Sequence, residues 1–397
     1  MALLALSGSV ALGQIDPEKR QLIQFGYNQP WEGHGPLSGY AFYYRNEPGF
    51  LRTNITLRLA IAPGYLDSEI GFKDVLPERT DIGIGVAGGG FADSYFEVRH
   101  GRLINQDSFT GHSGEVSFNI YHLFNPNQTI PLNAILRISP HYSVYERDSK
   151  TAKNFVVPPD RTTFNVRSGL RWGGREPTTF PDLAMELSAW YEGQVRTDSG
   201  PYGYNGDRYV QQASHLFWAR GLLIYTLPEL KHQFGINFTL GTSLRVDRFS
   251  AYRLGGVLPL VSEFPLTLPG YYYDEISARR FALLSGQYSV PFGAKKSWSL
   301  TAIGTVAWVD YLPGFELRGD THAGAGLGVG YKSPRGRWQT VVAYSYGFNA
   351  ERSHGLGAQS IGVLLQWDIE ATRRARTPYF DSDSPSKSRG LFRIFEP

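Results

Sequence analysis

Residues 132–144 carry Leu132, Ala134, Leu136, Ile138, Tyr142 and Val144 on one parity, and Asn133, Arg137, Ser139, His141 and Ser143 on the other. Phe164, Val166, Leu170 and Trp172 alternate in the same way with Asn165, Arg167, Gly169 and Arg171. So do Phe234, Ile236, Phe238, Leu240, Leu244 and Val246 with Gly235, Asn237, Thr239, Gly241, Ser243 and Arg245. In each segment the charges fall on one parity only. Successive side chains of a strand point to opposite faces, so each segment is a strand with one greasy and one wet face. A strand crosses hydrocarbon in about 9–11 residues. There every backbone group needs a partner, and strands meet that demand only in a closed barrel.

Carried along the chain, this pattern predicts strands at 20–28, 37–46, 51–63, 80–90, 94–103, 112–124, 131–146, 162–173, 183–197, 211–227, 231–246, 279–292, 297–311, 321–332, 338–349 and 358–369. Tight connections such as 47–50, 91–93, 228–230 and 293–296 alternate with long polar ones such as 64–79, 147–161, 198–210 and 350–357. Outer-membrane barrels have an even strand number, short periplasmic turns and long external loops. The expected fold is therefore all-β: a transmembrane 16-stranded antiparallel barrel in a Gram-negative outer membrane, in contact with lipid and lipopolysaccharide, with both termini periplasmic.

Composition agrees: aromatics make up 14% and charged residues 19%, with 45 glycines and no cysteine. Without cysteine there is no disulfide framework or thiolate chemistry. A net charge of +3 gives no reason to expect nucleic acid. No window approaches 18 consecutive apolar residues, so no membrane-crossing helix is expected. Residues 1–13 end in Ala11-Leu-Gly13 and read as a signal peptide, lacking a basic n-region as a truncated start would. Residues 14–370 are the expected barrel and 371–397 a flexible periplasmic tail.

The alternation stops in 247–278, which holds Gly255-Gly256 and Leu268-Pro269-Gly270-Tyr271 followed by Asp274-Glu275. A loop this long without periodicity is usually functional. Its apolar residues (Val257, Leu258, Leu260, Phe264) favour folding into the lumen, with Gly270-Tyr271 reaching deepest. Asp274 or Glu275 would then meet wall arginines, with Arg167, Arg171, Arg245, Arg279 and Arg280 as candidates.

The last strand reads Ser360-Ile-Gly362-Val-Leu-Leu365-Gln-Trp367, the pattern of a terminal β-signal that assembly machinery recognises during insertion. Gly324, Gly326, Gly328 and Gly330 recur every second residue before Pro334 and Gly336. They line one face of a strand, whereas a nucleotide-binding loop needs GxGxxG before a helix. Gly111-His-Ser-Gly-Glu115 lacks the closing glycine of a nucleophile elbow. The nine histidines have no metal-ligand spacing. No enzymatic activity, cofactor or metal is expected.

Residues 250–370 resemble the bacterial surface-antigen superfamily of sixteen-stranded assembly and secretion barrels. The resemblance rests on Gly255-Gly256, on Leu268-Pro-Gly-Tyr271 at the loop tip, on the strand ending Tyr288-Ser-Val-Pro-Phe292, and on the hairpin from His322 to Gly336. Before residue 250 the resemblance is only architectural, and it implies a barrel-only member, the residues ahead of the first strand being expected to be too few for POTRA modules. Two positions depart from the family. Pro269 replaces the arginine that anchors the loop tip, and Leu300 and Ala302 stand where a Phe and an Asp are usual. The resemblance implies insertion or translocation of polypeptide, or service as the membrane part of a larger complex. The partner would be a separate periplasmic or POTRA-bearing protein, and the working element a seam between 20–28 and 358–369. The alternative, from strand number alone, is a passive diffusion pore, because sixteen strands enclose an aqueous channel unless something fills it.

Overall fold

In the computed structural model the described residues are 19–371, apart from 34, 37, 77–78, 126–129, 175–182 and 259–263. The expected leader, and the tail beyond Ala371, lie outside them. Sixteen long strands form the wall. The first eleven are β1 (Arg20–Pro30), β2 (Ser38–Pro48), β3 (Ile55–Ala62), β4 (Tyr65–Leu76), β5 (Thr80–Gly89), β6 (Thr110–Leu123), β7 (Leu132–Glu146), β8 (Arg161–Gly174), β9 (Leu183–Arg196), β10 (Ala213–Thr226) and β11 (Gln233–Leu244). After the long loop come β12 (Ile276–Phe292), β13 (Trp298–Tyr311), β14 (Thr321–Lys332), β15 (Trp338–Arg352) and β16 (Gly355–Asp368).

Each strand pairs antiparallel with the next, and β16 returns to β1, with Leu22 opposite Asp368 and Pro30 opposite Ser360. The ring is closed, so no backbone edge is left along it. Closure continues past both ends of that register, where Trp31 N donates to Gln359 O at 3.0 Å and Ile369 N to Gln21 O at 2.8 Å. Between neighbouring wall strands, as described, the shortest register is instead β2–β3, from Tyr43–Ile61 to Pro48–Thr56.

One expected strand is misplaced. Residues 94–103 do not cross the wall; they form a small ribbon, Val98–Arg99 with Arg102–Leu103, inside a long loop. The strand belongs at β4, which was expected to be a loop because it contains Asp67, Glu69, Lys73 and Asp74. Asp67 and Glu69 share the inner parity and meet Arg58 of β3 at 3.2 and 3.4 Å. The strand count and the eleven-plus-five division around the loop are unaffected.

The two faces separate by parity. Ile138, Phe164, Leu170, Ile236 and Leu240 are exposed on the outside. Arg137, Arg167 and Arg220 point inward, to Glu115, Glu192 (2.6 Å) and Glu186 (2.5 Å) on neighbouring strands. Charges taken away from bulk water need such partners.

At the long-loop end, residues 90–109, 147–160 and 197–212 fold over the barrel. Tyr95, Phe109, Tyr145, Phe155, Tyr202 and Val210 pack there as one buried cluster. Beneath it the carboxylate of Glu97, fully buried, faces Arg99, Arg208 (3.8 Å) and Arg248 (3.4 Å).

Candidate functional site

The loop between β11 and β12 enters the lumen as a narrow hairpin. Tyr252–Leu254 continues the wall by pairing with Ile276–Ala278. Gly255 N then donates to Leu266 O at 3.0 Å, and Leu268 N to Gly256 O at 2.9 Å. Gly255 lies so close to the Tyr272 carbonyl that a side chain there would collide with it. Val257 and Leu258 press on Gly362 of β16 and pack with Tyr40, Ala343 and Leu364. On the opposite wall Phe264 meets Trp190 and Trp218, at 5.1 and 5.5 Å between ring centroids.

Pro269-Gly270-Tyr271 does not reach deepest; it sits near the long-loop end against β14 and β15. The deep positions belong to Leu258 and Phe264, whose contacts fall half-way down β16 and β9. The Pro269 carbonyl fills the space where Gly324 would carry a side chain. Gly270 has φ +85° and lies against the Gly347 backbone nitrogen, a position that only glycine fills without strain. Gly270 N donates to Ser345 Oγ at 2.9 Å, and Ser345 Oγ is 2.8 Å from Ser360 Oγ. Tyr271 OH is 2.9 Å from His322 Nδ1, whose Nε2 meets the Tyr311 hydroxyl.

The ionic anchor is Glu275 with Arg352 at the end of β15. Its two bonds are 2.7 and 3.0 Å long, and both side chains are 1% exposed. The guanidinium also lies 3.8 Å from the Tyr272 ring centroid. Tyr272 in turn donates its N–H to Glu275 Oε2 (2.7 Å) and its hydroxyl to the Glu32 carbonyl (2.9 Å). A bidentate pair stacked on an aromatic face is a strong, geometrically specific contact. In this pair the acid is on the loop and the arginine on the wall.

None of the five arginines expected as partners takes this role. Arg167 and Arg171 pair with Glu192 and Glu186, and Arg279 and Arg280 with Asp310. Arg245 is exposed just past β11. Arg352 escaped notice because residues 350–357 read as a loop, whereas the strands continue to a two-residue connection at 353–354. Leu300 and Ala302 point outward, so they could not have received a loop contact. The wall therefore brings together motifs that looked separate in the sequence: Gly324 from the penultimate hairpin and Ser360 and Gly362 from the last strand hold one loop. Gly326, Gly328 and Gly330 continue the inner face of β14 away from the tip, and Pro334 and Gly336 form the turn after it.

Asp274 does not join the anchor. It has φ +56°, is half-buried at the edge of a lumen cavity, and has Arg253 as its nearby cation. Burial pushes its carboxyl up to about 6, outweighing the lowering effect of Arg253. A carboxyl raised by docking stabilises the docked loop below its free value of about 4, and that contribution is lost as pH rises through 6. Loop excursions, read as current flicker in planar bilayers, should be rarer at pH 4.5 than at pH 7.5. In Asp274→Asn the two pH values should give the same record.

The outer side of the terminal strand offers a different test. Leu365 and Trp367 face outward, and Trp367 stacks on Trp338 with ring centroids 5.2 Å apart. Leu365→Ala with Trp367→Ala leaves the inner face intact, so unfolded protein should accumulate before insertion. A normal insertion rate with only a lower melting temperature would make these residues ordinary packing.

No family model matches the sequence, and no curated protein matches it at the sequence level. Solved structures do match in fold. CdiB from Acinetobacter baumannii aligns over 88% of this chain and 60% of its own, with TM-score 0.57 and 11% identity. CdiB from Escherichia coli aligns over 88% and 63%, with TM-score 0.56 and 12% identity. BamA from Haemophilus ducreyi lacking POTRA domains 1–3 aligns over 89% and 71%, with TM-score 0.54 and 12% identity. The chain thus spans less than two thirds of either CdiB. The likeness first read in residues 250–370 extends, as fold, to nearly the whole wall.

Proposed function

We propose that this is a non-enzymatic outer-membrane barrel of the surface-antigen type, closed at rest, which inserts or translocates polypeptide or serves as the membrane part of a larger complex. The long loops face outward from the cell and both termini are periplasmic. Its contacts are membrane lipid and lipopolysaccharide, the machinery that inserts it, and a separate periplasmic or POTRA-bearing protein.

The observation that carries this reading is a loop that touches both sides of the lumen, Val257 and Leu258 at Gly362 and Phe264 at Trp190, and is locked by Glu275 and Arg352. A passive pore has no use for a barrier held by a buried ion pair, whereas a polypeptide-handling barrel must stay sealed between clients. The β1–β16 register is as long as several others, so lateral opening there would follow loop release and incoming-strand pairing rather than precede them.

Deleting residues 257–274 should convert a silent barrel into a large, steady conductance in planar bilayers. Wild type conducting like an open porin, with deletion changing little, would favour the diffusion pore. Purification from intact outer membranes supplies the second arm. A nascent barrel or POTRA protein among the co-purifying chains supports polypeptide handling.

A further inference from the structure

A cavity of about 550 Å³ lies in the lumen between the loop and the wall, within the size range of small-molecule sites. Six arginines line it (Arg137, Arg161, Arg167, Arg196, Arg248 and Arg253), against four carboxylates, Asp93, Glu115, Glu192 and Asp274. Four of the arginines form ion pairs: Arg137 with Glu115, Arg167 with Glu192, Arg196 with Asp247 (2.7 Å) and Arg248 with Glu97 (3.4 Å). Asp93 is taken by His141 at 2.8 Å.

Arg161 is different. It is 2% exposed, and its Nη2 donates to the Tyr145 hydroxyl at 2.8 Å. Its head lies 4.8 and 4.5 Å from the Tyr145 and Phe249 ring centroids. Nε and Nη1 have no hydrogen-bond partner, and no carboxylate of the described residues pairs with it. Arg253 has Ser277 Oγ, the Phe96 carbonyl (3.2 Å) and the Tyr95 ring, with Asp274 as its nearby carboxylate but no close ion pair among the described residues.

We infer that the cavity binds a phosphate group, with Arg161 as its principal contact and Arg253 as the second. A buried charge without a counter-ion is strongly unfavourable, and aromatic faces offset only part of that. An oxyanion supplies the missing charge and accepts from a guanidinium in the geometry arginine offers best. Arg161 has no carboxylate among the described residues and Arg253 only the half-buried Asp274 near it, so the two guanidinium heads favour a phosphate, whose several oxygens can accept from both, over a carboxylate. The hydroxyl of Thr163, on the same strand face as Arg161 and also lining the cavity, is placed to add a neutral bond. The phosphate can belong to a soluble ester or to a lipid headgroup; both present the same group.

The test is thermal unfolding of the detergent-purified barrel, titrated with inorganic phosphate at constant ionic strength and repeated with short-chain phosphatidic acid. Wild type should show a saturable rise in Tm. Arg161→Met should require at least tenfold more phosphate, yet without phosphate melt no lower than wild type, because an uncompensated charge has been removed. Arg253→Met should weaken the response independently, which keeps the test decisive if Arg161→Met folds poorly. Stronger stabilisation by phosphatidic acid than by inorganic phosphate assigns a lipid source, and equal stabilisation a soluble one. No saturable response in wild type, or the same response in both variants, overturns the inference. So does an Arg161→Met barrel that melts earlier while still responding fully to phosphate, since Arg161 would then be part of the packing alone.

Discussion

Glu275→Gln should release the lumen loop. The substitution leaves Arg352 buried at 1% exposure without its counter-charge, and breaking such a pair costs about 3–5 kcal/mol. Each 1.4 kcal/mol is about a factor of ten, so the undocked population should rise by roughly two to three and a half powers of ten. The barrel itself remains paired strand to strand, so folding yield and heat-resistant migration should change little while planar-bilayer conductance appears. Arg352→Met should open the loop too, by stranding the carboxylate. The double variant Glu275→Leu with Arg352→Met removes both charges, and a buried pair replaced by apolar side chains is often neutral. It should therefore be quieter than either single variant. If the double variant conducts as much as the two singles combined, the pair is not what holds the loop.

Leu170→Arg should be the most damaging single change on the outer face. Leu170 is 52% exposed near the middle of β8, where a charged side chain costs about 2–4 kcal/mol in lipid. Asn165→Arg on the same strand points inward, where a cation meets water and Glu192, so refolding into liposomes should be affected far less. Equal losses for the two variants would contradict the assignment of faces.

These faces were legible in the sequence because a barrel wall has only one rule, alternation, and a slip of one residue reverses it everywhere. The rule failed where charge and turn chemistry misled. Tyr65–Leu76 carries Asp67 and Glu69 on the inner parity, as a wall strand should, and Pro63-Gly64 is a turn signal that should have marked its start. Residues 94–103 alternate as well, but the turn at His100-Gly101, with both residues at positive φ, folds them into a ribbon.

The site was half legible. The glycines and the loop stood out by composition, whereas the anchor joins Glu275 to a residue 77 positions later, and no local pattern records such a contact. Arg352 looked like one more loop cation until the strand was seen to run through it.

The seat of the loop also fixes an order of events. It is made by Gly324 in β14, Gly347 and Arg352 in β15 and Gly362 in β16, together with the Glu32 carbonyl that follows β1. The loop is synthesised before three of these strands exist, and β1 can approach Gly362 only when the ring joins. The full seat therefore exists only in the closed ring, which makes a completely seated loop the mark of a finished barrel.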